Sequence, residues 1–157
     1  MAGQQNGPGQ LSRRSLLAGG AVLAGALAAG YWRRSRVPDH GLEKISAAEA
    51  HRRAAAGEIL LVDIRTPREW RRTGLGTSAV PIDMRRQDFL DALAAAGGGT
   101  GRPVALICAR GGRSARMALR LQQAGYAQII DVAEGMLGSG AGPGWIAAGL
   151  PVAAWDG

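Results

Sequence analysis

The sequence predicts an α/β fold with a central parallel sheet of about five short strands and helices on both faces. Two observations predict it. Short apolar runs, Ile59-Leu60-Leu61-Val62 and Val104-Ala105-Leu106-Ile107 among them, are apolar at successive positions. Strands buried on both faces read this way. Capped or amphipathic helical stretches alternate with these runs, the pattern of strands joined through crossover helices.

In chain order, residues 38–45 read as a connector broken by Pro38 and Gly41. Ser46-Ala47-Ala48-Glu49 has the spacing of a capping box, and Gly57 closes the helix it starts. The strand Ile59–Val62 ends at Asp63-Ile64-Arg65. Thr66-Pro67-Arg68-Glu69 is a second capping box, with proline at the favoured first helical position. That helix must be short, because Gly74 and Gly76 follow. Ala79-Val80-Pro81-Ile82 is a short strand candidate. Asp88 to Ala96 is helical and stops at Gly97-Gly98-Gly99. The strand Val104–Ile107 and a helix from Ser114 to Ala124 follow, with Gly125 as the stop. Gln128-Ile129-Ile130-Asp131-Val132 is a further strand, and Trp145-Ile146-Ala147-Ala148 a final helical turn.

The 157 residues suffice for one domain with a core of its own. The formal charge is +7. Residues 1–37 hold Arg13, Arg14, Arg33, Arg34 and Arg36 with no acid, so most of that excess lies there. Residues 38–157 hold 14 basic and 12 acidic groups. A nearly balanced globular part gives no argument for nucleic acid as a partner. The single cysteine, Cys108, excludes an intrachain disulfide and any multi-cysteine metal site. No metal and no organic cofactor is indicated.

Residues 1–10 are rich in Gly, Gln and Pro, a disordered composition. Ser12-Arg13-Arg14-Ser15-Leu16-Leu17 then opens an apolar run from Leu16 to Trp32. Paired arginines before a Gly/Ala-rich apolar segment resemble a twin-arginine export signal. Ala26-Leu27-Ala28 fits a small-x-small cleavage site. On this reading residues 1–37 are an address, residues 38–157 are the working domain, and the domain is periplasmic or otherwise exported. The alternative is an inner-membrane anchor through residues 16–32. Arg33, Arg34 and Arg36 after the run then favour a domain on the cytoplasmic side.

Cys108 opens the run Cys108-Ala109-Arg110-Gly111-Gly112-Arg113-Ser114 at the end of a buried strand and the start of a helix. Ligands of parallel sheets gather at the C-terminal ends of strands. A Gly-rich turn into a helix aims backbone N–H groups at one point, and the helix N-terminus adds positive potential. Both favour a thiolate, the nucleophilic form of cysteine.

Four segments resemble a single rhodanese domain over about residues 42–155. Leu61-Val62-Asp63-Ile64-Arg65-Thr66-Pro67-Arg68-Glu69-Trp70 resembles the family's first motif. Cys108 and Arg113, with four residues between them, resemble its active-site loop. Asp131-Val132-Ala133-Glu134-Gly135-Met136 is similar to its Gly-rich segment after the last strand. Trp145 through Gly149-Leu150-Pro151-Val152 resembles its closing signature. One segment departs: the family's Gly-His-Ile-x-Gly-Ala pattern is replaced by Thr73-Gly74-Leu75-Gly76-Thr77-Ser78-Ala79-Val80, without histidine.

The resemblance implies sulfurtransfer. Cys108 would be the nucleophile, and Ala109, Arg110, Gly111, Gly112, Arg113 and Ser114 would bind the donor. Arg110 and Arg113 suit an anionic donor, although one of them can instead pair with a carboxylate. Asp63 and Arg65 carry over as supporting residues, with a purely structural ion pair as the competing reading. The implied partners are a small sulfur donor (thiosulfate or a persulfide) and a thiol acceptor, which can be a protein, or cyanide. Two other functions compete. One is a persulfide carrier or docking module without turnover. The other is a phosphatase or arsenate reductase, whose loops hold a tetrahedral oxyanion in a ring one residue longer. His51, between Ala50 and Arg52, is expected on a solvated face, and neither it nor His40 is expected to act as a base. Trp70, Trp145 and Trp155 are expected to pack.

Overall fold

The computed structural model describes residues 41–99 and 101–157. The expected signal or anchor at residues 1–37 lies outside the described residues, as does His40. No helix among the described residues is long and apolar enough to cross a membrane.

The chain runs β1 (Glu43–Ile45), α1 (Ala47–Ala55), β2 (Leu60–Asp63), α2 (Pro67–Thr73), β3 (Leu75–Gly76), β4 (Val80–Pro81), α3 (Phe89–Ala95), β5 (Val104–Ile107), α4 (Gly112–Gln123), β6 (Ile129–Val132), α5 (Gly144–Ala147) and β7 (Val152–Ala153). Five strands form one parallel sheet in the order β1-β6-β5-β2-β4. This is the predicted architecture.

All four residues of β2, of β5 and of β6 are buried. Side chains alternate between faces along a strand, so each central strand feeds two cores. Leu60, Val62, Ile64, Leu106 and Cys108 pack with Phe89, Leu93, Met117 and Leu121 from α3 and α4. Ile59, Leu61, Ala105, Ile107, Ile130 and Val132 pack with Ala47, Ala50 and Trp145 from α1 and α5. A one-residue slip in register would exchange the two sets. From β2 the chain steps out to β4 and then crosses back to β5 on the other side of β2. The ends of β2 and β5 therefore lie side by side, with Asp63 in register with Ile107.

Three elements differ from the sequence reading. The expected connector 38–45 contains β1, paired in parallel with β6. Glu43 and Lys44 are exposed, as suits an edge strand, and so resemble a linker in sequence. Leu75–Gly76 pairs antiparallel with Val152–Ala153 as a second, two-stranded sheet. This is the segment that departs from the family pattern. Gly76 lies against the indole of Trp145, where an added Cβ would come within 2.7 Å of ring carbons. At α1 only half of the expected capping box forms. Ser46 Oγ accepts from the Glu49 N–H at 3.1 Å, but the Glu49 carboxylate is taken by Arg52. The Ala47 N–H, the first of the helix, is met by Glu134 Oε2, from the segment after β6, at 3.2 Å. The box at α2 forms in full, between Thr66 and Glu69.

Candidate functional site: a cysteine loop at the end of β5

Cys108 continues the alternation of β5 and turns its side chain into the α3/α4 core, where it is 1% exposed. The loop that follows is pinned by its backbone to the segment after β6. The Cys108 carbonyl accepts from the Met136 N–H at 2.9 Å, and the Ala109 carbonyl from the Leu137 N–H at 2.8 Å.

Gly111 makes the turn into α4. Its φ is 77°, in the left-handed region, and an added Cβ would stand 2.2 Å from the Ala133 carbonyl oxygen. Only glycine meets both demands. The helix begins at Gly112, two residues earlier than the sequence suggested, because Gly111 takes the cap position. The first N–H groups of any helix lack a carbonyl one turn back, so this turn presents free donors and positive potential beside the cysteine.

Ser114 sits under the loop and is fully buried. Its hydroxyl donates to the Gly111 carbonyl at 2.9 Å, and its Oγ is 3.5 Å from Cys108 Sγ. One hydroxyl thus ties the sulfur to the turn that surrounds it.

The two loop arginines differ in kind. Arg113 donates to both carboxylate oxygens of Glu69, at 2.9 and 2.5 Å. Glu69 Oε2 also accepts from the N–H and hydroxyl of Thr66, at 3.0 and 2.9 Å. Arg113 and then the Thr66 donors stabilise the carboxylate and hold its pKa at about 2, against the opposing cost of burial. The Arg113 pKa is raised, chiefly by Glu69. Arg110 is exposed, and among the described residues no carboxylate pairs with it. One arginine of the loop is therefore neutralised by a carboxylate, and the other faces solvent.

Asp63 and Arg65, carried over from the resemblance, form a buried ion pair, 0% and 1% exposed. Arg65 Nε contacts both carboxylate oxygens at 2.9 Å, and one terminal nitrogen reaches Oδ2 at 2.7 Å. Its remaining donors reach Thr73 Oγ1 at 2.7 Å and the Gly74 carbonyl at 2.8 Å. The pair thus ties the end of β2 to the turn between α2 and β3. It lies next to the cysteine strand, and the Asp63 charge adds to the raising of the Arg113 pKa at the end of the loop.

In the sequence Glu69 reads as a helix cap only. Its second role needs α2 and α4 side by side, and a chain separation of 44 residues hides that. Nothing in the sequence singles out the Asp83–Arg85 pair after β4. Asp83 and Arg85 meet at 2.6 Å, and Arg85 lies in the fields of both Glu69 and Arg113. His51 is a correction. It is half-buried and meets the Trp145 ring edge-on, with centroids 5.4 Å apart, rather than facing solvent. Ala47, Ala50, His51 and Ala54 share the inner face of α1 by helical spacing, and the neighbouring arginines mask this in sequence. The tryptophans pack as expected: Trp145 and Trp70 are buried, and Trp70 meets Trp155 at 5.1 Å.

Comparison with known proteins places this geometry. A search of curated proteins found no match. Among solved structures, a rhodanese-like domain protein from Staphylococcus aureus shares 24% identity and a TM-score of 0.53, covering 72% of this chain and 100% of that one. A polysulfide-sulfur transferase homodimer from Wolinella succinogenes shares 22% identity and a TM-score of 0.54, covering 73% and 80%. A Rhodopseudomonas palustris protein of unknown function, described as a possible tyrosine phosphatase, shares 23% identity and a TM-score of 0.54, covering 72% and 86%. These likenesses establish the fold. The family pattern of the rhodanese-like domain matches residues 46–139, from the cap of α1 past the segment that backs the cysteine loop. With the sheet, the loop and this match in agreement, the chain belongs to the rhodanese-like domain family.

Proposed function

We propose that the protein is a sulfurtransferase that carries a sulfane sulfur on Cys108. The observation that carries the reading is the loop itself: a lone cysteine at the end of β5, facing the first turn of α4, with Arg113 four residues beyond Ala109 at the loop's end. The Cys108 thiolate attacks the outer sulfur of thiosulfate. The S–S bond of the donor breaks, sulfite leaves with the bonding pair, and Cys108 becomes a persulfide. A thiolate acceptor, or cyanide, then attacks the outer sulfur. The new persulfide or thiocyanate leaves, and the Cys108 thiolate returns. Two half-reactions through a covalent intermediate give ping-pong kinetics. Arg110 steers the donor anion, and the loop N–H groups hold the sulfur charge, while Ser114 braces the Gly111 turn beside the sulfur.

Two observations weigh against phosphoryl chemistry. Only Ala109, Arg110, Gly111 and Gly112 separate Cys108 from Arg113, a ring suited to one sulfur atom rather than a tetrahedral oxyanion. The guanidinium that would clamp such an anion is occupied by Glu69. Intact mass after incubation with thiosulfate, a glutathione persulfide and a mercaptan donor tests the proposal. A gain of one sulfur atom, absent in Cys108→Ser, supports it. Phosphate released from an aryl phosphate, with no thiocyanate formed from thiosulfate and cyanide, overturns it. A non-catalytic docking module would show neither product.

Residues 12–30 supply the address in this proposal, as a twin-arginine-type export signal that delivers the domain to the periplasm, cleaved or retained as an anchor through residues 16–32.

A further inference from the structure

Charge is distributed unevenly over the domain. Three segments frame the Cys108 loop: α2 with its cap (residues 66–73), the stretch after β4 (83–88), and the loop with α4 (109–123). Together they hold nine arginines and three carboxylates. All three carboxylates, Glu69, Asp83 and Asp88, are spent in ion pairs with Arg113, Arg85 and Arg86. The rest of residues 41–157 holds five basic and eight acidic groups, the reverse balance. Arg68, Arg110 and Arg120 are exposed on the framing segments, and none of them has a carboxylate partner among the described residues. Arg113, Arg116 and Arg120 recur at helical spacing along α4, leading away from the loop.

We infer that this arginine face is a docking surface for an acidic protein that exchanges sulfur with Cys108. Such breadth exceeds what one small donor anion needs. Two arginines suffice for a divalent oxyanion, whereas positive groups on three elements match a surface. Nucleic acid fits less well. Single-strand binding relies on exposed aromatic platforms, and the only aromatic residue on the three segments, Trp70, is buried. The partner offers its cysteine on a projecting segment, because Cys108 is nearly closed to solvent. That the partner carries a cysteine rests on the sulfurtransferase reading; the preference for acidic surface does not.

The test uses the full chain and two short peptides, each with one cysteine. One is flanked by Asp and Glu, and the other is its Lys counterpart. Binding is read by fluorescence anisotropy on Cys108→Ser protein, so that no sulfur moves. The acidic peptide should bind at least about tenfold more tightly at low ionic strength, and the preference should collapse at high salt. Arg68→Glu with Arg120→Glu should weaken that binding about tenfold. In the Cys108 background, the same pair should leave persulfide transfer to the neutral thiol 2-mercaptoethanol unchanged. The N-terminal arginines are common to every variant, so the difference reports on this face. Equal binding of the two peptides overturns the inference, as does an unchanged affinity in the double variant. So does single-stranded RNA or a phosphatidylglycerol vesicle that binds more tightly than the acidic peptide and is lost in the same variant. Acidic-peptide binding without any sulfur transfer from thiosulfate-treated protein supports the face and counts against the sulfurtransferase reading instead.

Discussion

Arg113 is held by Glu69 in a two-pronged ion pair that joins the first turn of α4 to the first turn of α2. The same carboxylate caps its own helix through Thr66. One side chain therefore fixes two helix N-termini relative to each other at the mouth of the site. Substitution Glu69→Gln should cost about 1–3 kcal/mol, the range of charge-assisted hydrogen bonds. The pH dependence has a defined sign. The Glu69 pKa falls from 4.5 to about 2 on folding, so its contribution is full above 4.5 and is lost as pH falls toward 2. Urea unfolding between neutral pH and the acid limit should show a shallower acid decline in Glu69→Gln than in the wild type.

Gly111 and Gly57 give a matched comparison. Both have positive φ, 77° and 73°, but only Gly111 lacks space for a Cβ. Gly57→Ala should cost about 1–2 kcal/mol from backbone conformation alone. Gly111→Ala should cost more, because the Ala133 carbonyl or the whole turn must move. It should also abolish persulfide formation while Gly57→Ala does not. Denaturant midpoints and intact mass read the two effects separately.

Breaking the buried pair on one side is expected to be severe. Asp63→Asn or Arg65→Met should each lose about 3–5 kcal/mol, since each strands a buried charge. The double replacement Asp63→Asn with Arg65→Met should recover part of that loss, as a thermodynamic cycle will show. Failure of the double to recover would assign the cost to the Thr73 and Gly74 contacts of Arg65 instead.

Arg110→Ala should raise KM for thiosulfate about tenfold with a smaller change in kcat, the sign of lost donor binding. Arg113→Lys keeps the charge but loses the two-pronged geometry, and should lower stability and kcat together. Steady-state thiocyanate formation distinguishes the two.

Replacing Arg13 and Arg14 by lysine should block export of a reporter fused after residue 37. Unchanged export would remove the twin-arginine reading while leaving the domain's chemistry untouched.

Much of this was legible in the chain. Consecutive apolar residues announced β2, β5 and β6, because strands buried on both faces are apolar at nearly every position, with Asp63 and Asp131 as the exceptions. The spacing of Thr66, Pro67 and Glu69 announced α2, because a capping box is a local contract between neighbouring residues. Cys108 stood out because a lone cysteine before a Gly-rich turn and a helix start has few other uses.

What only the tertiary structure decided was every pairing between distant residues. Glu69 reads as a cap until α4 lies beside it. Leu75–Gly76 reads as a loop until Val152–Ala153 returns to pair with it. Glu43–Ile45 reads as a linker until the edge of β6 is present. Local signals arise from sterics and hydrogen bonds within a turn or two of the chain, so a sequence displays them directly. Ion pairs and edge strands draw their energy from groups brought together by the core, and no spacing along the chain records which groups those will be.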